Sequence, residues 1–276
     1  MAPRTQSSVA VTADGDHWFL LNASPDLRQQ INANPALHPQ HGLRHSPISG
    51  VILTNGDIDH IAGLLTLRES TPLAIYATAR VQTALSRNSV FNVLSPDFVE
   101  WREAVLGQPF ELATRDGVSA GISVVMFAVP GKVALYLEDA NAGPDFGTMP
   151  GDTVGLRVES VETGVHFFYI PGCAAVTDDL ARRLTGASLV LFDGTLWHDG
   201  EMIDAGIGVK TGKRMGHISI TGADGSIAAF ENLRVPRKVF IHINNSNPIL
   251  LDDSPERAAV VVAGWEVAFD GMKFRL

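Results

Sequence analysis

Asp57-x-Asp59-His60 sets three ionisable side chains within four positions, directly after the apolar run Val51-Ile52-Leu53-Thr54. Polar groups at the end of a buried strand point into a crevice at the sheet edge, where like charges repel and lose hydration unless a cation joins them. A divalent ion supplies that charge, and a mixture of carboxylate and imidazole suits iron, zinc or manganese. The same acids have a plainer reading as caps of the following helix, for which Asp59 is well placed. His242 closes the apolar run Val239-Phe240-Ile241 and precedes the polar Asn244-Asn245, as a ligand or as a satisfied core histidine. His217 follows Gly216, which lets the backbone bend just before it. Asp193, ending Leu189-Val190-Leu191-Phe192, is a ligand, an orienter of His217 or a turn-former. Four strand-end sites bearing acid or imidazole together predict one shared centre.

The elements that must position these residues read as alternating strands and helices. A hairpin is expected from strands at 6–11 and 18–22 around Asp14-Gly15-Asp16, then a helix from Leu27 capped by Ser24 or Asp26. Val51–Thr54 is apolar throughout, the pattern of a strand buried on both faces. Ile61, Leu64, Leu65 and Arg68 have helical spacing, and Leu73–Tyr76 reads as the next strand. This strand–helix–strand unit predicts a layered α/β fold with chemistry at the carboxyl ends of strands. Residues 78–101 read as helical and irregular. Strands are expected at 122–127, 133–137, 153–159 and 165–170, with 141–147 a long loop placed as a lid or rim. Further along, helices are expected at 178–184 and 226–231, and strands at 189–192 and 238–243. No linker, repeat or low-complexity tract divides the chain, so 1–276 is read as one domain.

Composition removes several classes. The formal charge of -9 argues against a nucleic-acid partner, which needs clustered Lys and Arg. Only Lys210, Lys213 and Arg214 are locally basic, as a solvated loop or an anion contact at a site rim. With Cys173 alone there is no intramolecular disulfide and no Cys-based zinc site; the thiol reads as a buried structural residue or a site wall. No apolar run approaches the ~20 residues of a membrane span, and no apolar signal core follows Met1, which together predict a cytoplasmic protein. Gly206-x-Gly208-x-x-x-Gly212-Lys213 has the wrong spacing for a phosphate loop, and Arg214 stands where a magnesium-holding Ser or Thr belongs. There is no Gly-x-Ser-x-Gly elbow and no His-Glu-x-x-His helix.

The order of these pieces resembles the metallo-β-lactamase superfamily. Its His-x-His-x-Asp-His loop falls on Asn55-Gly56-Asp57-Ile58-Asp59-His60, where Asn55 and Asp57 replace the first two histidines while Asp59 and His60 match. Its final histidine falls on His242, and its bridging aspartate on the Gly172-Cys173 pair, which argues against an ordinary dinuclear hydrolase. More narrowly, the chain resembles the pyrroloquinoline quinone biosynthesis protein B family. Leu21-Asn22-Ala23-Ser24-Pro25-Asp26-Leu27-Arg28-Gln29-Gln30, Thr54–His60, Gly63–Glu69, Tyr169–Cys173 and Phe192-Asp193-Gly194-Thr195-Leu196-Trp197 carry the match. Met215-Gly216-His217 and His242–Leu250 complete it, over nearly the whole chain.

The resemblance implies an αββα sandwich. Family members begin with an additional strand, a glycine-rich turn and a zinc-binding cysteine loop; this chain starts after that point, so that strand and zinc are expected to be missing, leaving a barer sheet edge. The implied activity belongs to the making of pyrroloquinoline quinone: hydroxylation of the tyrosine ring of a peptide-derived Glu–Tyr precursor, using mononuclear iron(II) and dioxygen, with zinc an expected occupant of purified protein. On that reading Asp59, His60 and His242 bind the metal, with Asp57 or Asp193 as a fourth ligand or supporting partner. His217, oriented by Asp193, moves protons, while Asn245 and Asn247 hold substrate polar groups. Partners would be the small peptide-derived substrate and other proteins of the pathway, with no membrane. Two rivals stand beside it: a metal-dependent hydrolase of a peptide or ester bond, and a carrier of the finished quinone.

Overall fold

The computed structural model describes residues 3–42 and 44–276. Five strands make the first sheet: β1 (Val9–Val11), β2 (Trp18–Leu21), β3 (Ile48–Ile52), β4 (Leu73–Ala77) and β5 (Val99–Glu103), in that spatial order. β1 and β2 form the expected antiparallel hairpin; from β2 onward every pair is parallel. Seven strands make the second: β6 (Pro109–Ala113), β7 (Ser119–Ala128), β8 (Val154–Ser160), β9 (His166–Ile170), β10 (Leu189–Asp193), β11 (Arg237–Ile241) and β12 (Trp265–Val267), ordered from β12 through to β6. β6 to β9 pair antiparallel, and β9 to β12 parallel.

Period-two alternation explains how the sheets stack. Phe19, Leu21, Ile52 and Tyr76 of the first sheet share one buried cluster with Val124, Met126, Leu156, Leu191 and Val239 of the second. Their neighbours face outward onto helices. Leu20, Val51 and Ile75 pack with Leu27 of α1 (Leu27–Ala33), with Ile61 of α2 (Ile58–Ile61), and with Val81 and Leu85 of α3 (Ala79–Ser86). Val190, Phe192 and Phe240 pack with Leu180 and Leu184 of α4 (Asp178–Leu184). Short turns α5 (Glu201–Asp204), α6 (Gly212–Met215) and α7 (Ser226–Ala229) follow, then α8 (Pro255–Val262), whose Val260 joins the same cluster. The result is the expected αββα sandwich, and strands covered on both faces are largely apolar for that reason.

Several local expectations fail for identifiable reasons. Residues 133–137 are not a strand. Leu135 donates its N–H to Asp57, Tyr136 its hydroxyl to Gly56, and Leu137 its N–H to Ala134, so a short 3-10 turn at Leu135–Leu137 replaces strand pairing. Asp26 stands at the N-cap of α1 as one of the two expected residues, but no side chain caps the helix, since the Asp26 carboxylate accepts the Gln6 N–H and the Ser24 hydroxyl donates to Gln30. The helix expected after Ile61 is a 3-10 segment, Ala62–Leu67. Residues 78–101 hold α3 but end inside β5, and β6, α8 and β12 went unanticipated. Among the described residues no helix is long and apolar enough to cross a membrane.

Candidate metal centre

The loop after β3 is held from behind. Asn22, buried and in the left-handed region at φ 63°, accepts the Thr54 N–H through Oδ1 and donates Nδ2 to the Thr54 hydroxyl. Ala23 donates its N–H to the His60 carbonyl and accepts from Gly63. That approach needs glycine, because a Cβ at position 63 would lie 2.3 Å from the Ser24 carbonyl oxygen. α2 is thereby pressed onto the 22–24 segment, and His60 is delivered into the mouth of the sandwich. From the second sheet, β10 ends on Asp193, and β11 runs into His242 at φ 53°, a bend that turns the chain sharply after the strand. Gly194 lets the two loops touch, since a Cβ there would meet Phe240 at 2.8 Å. His217 follows the left-handed Gly216 that terminates α6.

Two groups of potential ligand atoms result, Asp59–His60–His242 and Asp193–His217–His242, with the atoms of each group within 4.8 Å of one another. The His242 ring lies 5.0 Å from that of His60 and 5.2 Å, stacked, from that of His217. His242 Nε2 is 2.8 Å from Asp59 Oδ2, although 183 positions separate them in the chain.

Hydrogen-bond partners fix which nitrogens carry lone pairs. Asn55 Oδ1 lies 2.7 Å from His60 Nδ1, and as a pure acceptor it requires that nitrogen to be N–H. His60 Nε2 is therefore an acceptor; it is fully buried and has no hydrogen-bond partner. The Thr195 hydroxyl donates to Asp193 Oδ1 at 2.7 Å, which leaves its lone pairs to accept from His242 Nδ1 at 2.8 Å. Asp193 Oδ2 accepts from the Cys173 N–H at 2.8 Å and from His217 Nδ1 at 2.7 Å. Each histidine thus has its Nδ1 anchored. Nε2 of His60, as a lone pair, and Nε2 of His242, hydrogen-bonded to Asp59 Oδ2, converge with the Asp59 carboxylate.

Such a set repels itself without a positive charge. Burial pushes the Asp59 carboxyl up, but His60 and the bond to His242 outweigh it and hold the group well below the usual carboxylate range. Burial lowers His60 to about 4, whereas Asp59 raises His242 despite its burial. Asp193 stays ionised because His217, His242 and Thr195 offset its complete burial. A proton on His242 is what satisfies the Asp59–His242 contact here, and a divalent ion ligated by the same atoms would replace it. The buried His60 Nε2, without a hydrogen-bond partner among the described residues, fits a metal beside that pair.

The other candidate residues fall in different places. Asp57 belongs to neither group; its Oδ1 accepts the Leu135 N–H at 3.3 Å, and burial raises its pKa. Asn247 is buried, with Nδ2 donating to the Gly194 and Thr195 carbonyls and Oδ1 accepting from Ile249, so both polar ends of its side chain are committed to loop structure. Asn245 is exposed beside it. Cys173 is completely buried, its thiol donating to the Ala175 carbonyl and pushed up to about 12 by that burial, so it offers no thiolate. Asn55 and Thr195 are the contributors that sequence reading overlooked. Asn55 stands where the superfamily has a histidine, and Thr195 is the polar residue two after a strand-ending aspartate; either spacing would have flagged them.

The beta-lactamase superfamily domain family matches this chain over residues 17–243. Coenzyme PQQ synthesis protein B of Bradyrhizobium diazoefficiens is 54% identical over 274 residues, covering 99% of this chain and 88% of that protein. The protein of the same name from Rhodopseudomonas palustris is 56% identical over 274 residues, covering 99% and 89%. The crystal structure of zinc-bound PqqB from Methylobacterium extorquens superposes with a TM-score of 0.93 at 52% identity, covering 100% of this chain and 89% of that one.

Proposed function

This chain belongs to the coenzyme PQQ synthesis protein B family, within the beta-lactamase superfamily, and on that premise we propose that it hydroxylates the tyrosine ring of a Glu–Tyr precursor at a mononuclear iron(II) centre, with dioxygen as co-substrate and an external two-electron reductant that carries the second oxygen atom to water. The observation that carries the reading is the convergence of His60 Nε2, His242 Nε2 and the Asp59 carboxylate, with Asn55 orienting His60 where a dinuclear enzyme would have a further ligand. A carboxylate–imidazole set such as Asp59, His60 and His242 suits oxygen chemistry if the metal keeps open positions. Asp59, His60 and His242 would hold the metal, which supplies the one-electron chemistry that dioxygen needs to react with an aromatic ring. The Methylobacterium extorquens relative binds zinc, an ion that carboxylate and imidazole donors would also take here.

The protein's own part is positioning and proton transfer. Asp193, ionised and buried, accepts the His217 Nδ1 proton and so leaves Nε2 of that ring as the basic atom. His217 takes the phenolic proton when the ring is attacked and returns it afterwards, the role its Asp partner tunes. Thr195 ties this dyad to His242, so the proton-transfer residue and the metal ligand move as one unit. Asn245, exposed in the loop after His242, would contact substrate polar groups on this reading.

The test is oxygen uptake by iron(II)-loaded protein with Glu–Tyr dipeptide and a two-electron reductant such as ascorbate, followed by mass analysis of the product against a protein-free control. One added oxygen atom, lost in His60→Ala, is expected. Cleavage of a peptide or ester bond by zinc-loaded protein under strictly anaerobic conditions, with no oxygen uptake by the iron form, would replace this reading with a hydrolase.

A further inference from the structure

One carboxylate beside the centre gathers three cations. Glu138 lies in the segment 131–150 that joins β7 to β8. It accepts Arg214 Nη1 at 3.0 Å and Nη2 at 2.7 Å, with Lys132 Nζ at 3.4 Å and Lys210 Nζ at 4.0 Å. The Arg214 bonds, then Lys132 and Lys210, hold its carboxyl at about 2, so it is ionised throughout the working range. The cluster nevertheless carries an excess of two positive charges in a chain whose formal charge is -9. A structural ion-pair network balances its charges, as Lys213 does nearby with Asp224 at 2.7 Å. Here Glu138 is nearly buried while Lys210 and Arg214 remain partly open to solvent, leaving cationic donors unspent.

The position of this excess is functional. Gly216, at φ 88°, lets Lys132 lie against the turn that ends in His217; a Cβ there would stand 2.9 Å from Lys132 Cγ. At its other end the same segment rests on the metal loop, where the Tyr136 hydroxyl donates to the Gly56 carbonyl and Leu135 donates to Asp57. The Arg214 guanidinium stacks on the Phe146 ring, 3.6 Å from its centroid, which holds the cation in place before any ligand arrives. The loops that carry the cations also carry exposed Leu135, Tyr136, Ile207 and Val209, apolar surface suited to a ring.

We propose that Lys132, Lys210 and Arg214, assembled by Glu138 at the edge of the metal centre, form an anion-recognition rim that takes a carboxylate of a small aromatic substrate. The assignment deepens the reading of the centre given above by naming what selects the substrate. A rim charge acts mainly by steering and by register, while the metal and His217 carry the reaction.

The test is calorimetric titration of zinc-loaded protein with benzene-1,3,5-tricarboxylate, and with the corresponding neutral triamide as control. Arg214→Gln and Lys210→Gln are each expected to weaken tricarboxylate binding by about fivefold, and Lys213→Gln to change it by less than about twofold. Glu138→Gln is expected to tighten it, the opposite sign from the loss of a purely structural ion pair. Binding of the acid no tighter than of the triamide, or binding by Arg214→Gln and Lys210→Gln that matches the unmodified chain, overturns the proposal. Rim binding without oxygen uptake on Glu–Tyr would sink the oxygenase reading and leave the rim standing. Uptake with an unchanged KM in the rim variants would do the reverse.

Discussion

Thr195→Val is the most searching single substitution, because it keeps the shape of the side chain and removes only a hydroxyl. That hydroxyl donates to Asp193 Oδ1 at 2.7 Å and accepts from His242 Nδ1 at 2.8 Å, inside a region where Asp193 is fully buried. Losing a hydrogen bond to a buried charge costs about 1.5–3 kcal/mol, and stranding the His242 N–H adds about 1–3 kcal/mol. Asp193 Oδ1 keeps the Thr195 backbone N–H at 3.0 Å, which offsets part of the first loss. The net expectation is about 2–4 kcal/mol of stability in metal-free protein, measured by urea unfolding with chelator present. Because Thr195 also orients a ligand, zinc affinity by competition titration should fall by about 10–100-fold. Thr195→Ser retains the hydroxyl and should restore most of both. A valine variant that unfolds within about 0.5 kcal/mol of the unmodified chain and binds zinc equally well would refute the proposed network.

Three further outcomes follow from the same geometry. Asn55→Ala removes the acceptor that fixes the His60 tautomer at 2.7 Å, and zinc affinity should drop by about tenfold or more while His60 itself remains. Gly63→Ala forces a Cβ to 2.3 Å from the Ser24 carbonyl oxygen, and differential scanning calorimetry should show a Tm lowered by several degrees, for a cost of about 2 kcal/mol or more. For metal-free protein, His60 is depressed from its ordinary 6.5 to about 4, so the unfolded chain binds its proton first and stability is lost as pH falls through that window. That drop corresponds to about 3 kcal/mol, to be read as the difference between the unmodified chain and His60→Asn in unfolding curves at pH 7 and pH 4. His242, whose pKa is raised, works in the opposite sense, and so the variant comparison rather than the raw pH profile isolates His60.

Much of this protein was written locally. The run around Val51 is apolar because β3 is covered on both faces, and the same reason makes β10 and β11 legible. α4 was bounded correctly because Thr177 accepts the Leu180 N–H at its start, with Asp178 and Asp179 in the first turn and Arg182 and Arg183 in the last. Asp59, His60, Asp193 and His242 stood out by position, as polar side chains where apolar strands stop. The long matching strings carried the family. Shorter strands with mixed faces escaped: β5 and β6 each bury a single residue fully, so no apolar run or clean alternation in their own windows distinguishes them.

What tertiary structure alone decided is which of those polar residues meet. Asp59 reaches His242 because two separate sheets present their carboxyl ends to one crevice, an outcome of register and stacking that no sequence window contains. The same packing drew Asp57 to the Leu135 backbone instead of the ligand set, committed Asn247 to the loop carbonyls of Gly194 and Thr195, and made Thr195 the joint between two histidines. It also split the basic stretch, pairing Lys213 with Asp224 while turning Lys210 and Arg214 toward Glu138. Side-chain periodicity is a local property of the backbone and can be read along the chain. Hydrogen-bond and ligand geometry acts over about 3 Å between groups far apart in sequence, so it exists only once the core has brought them together.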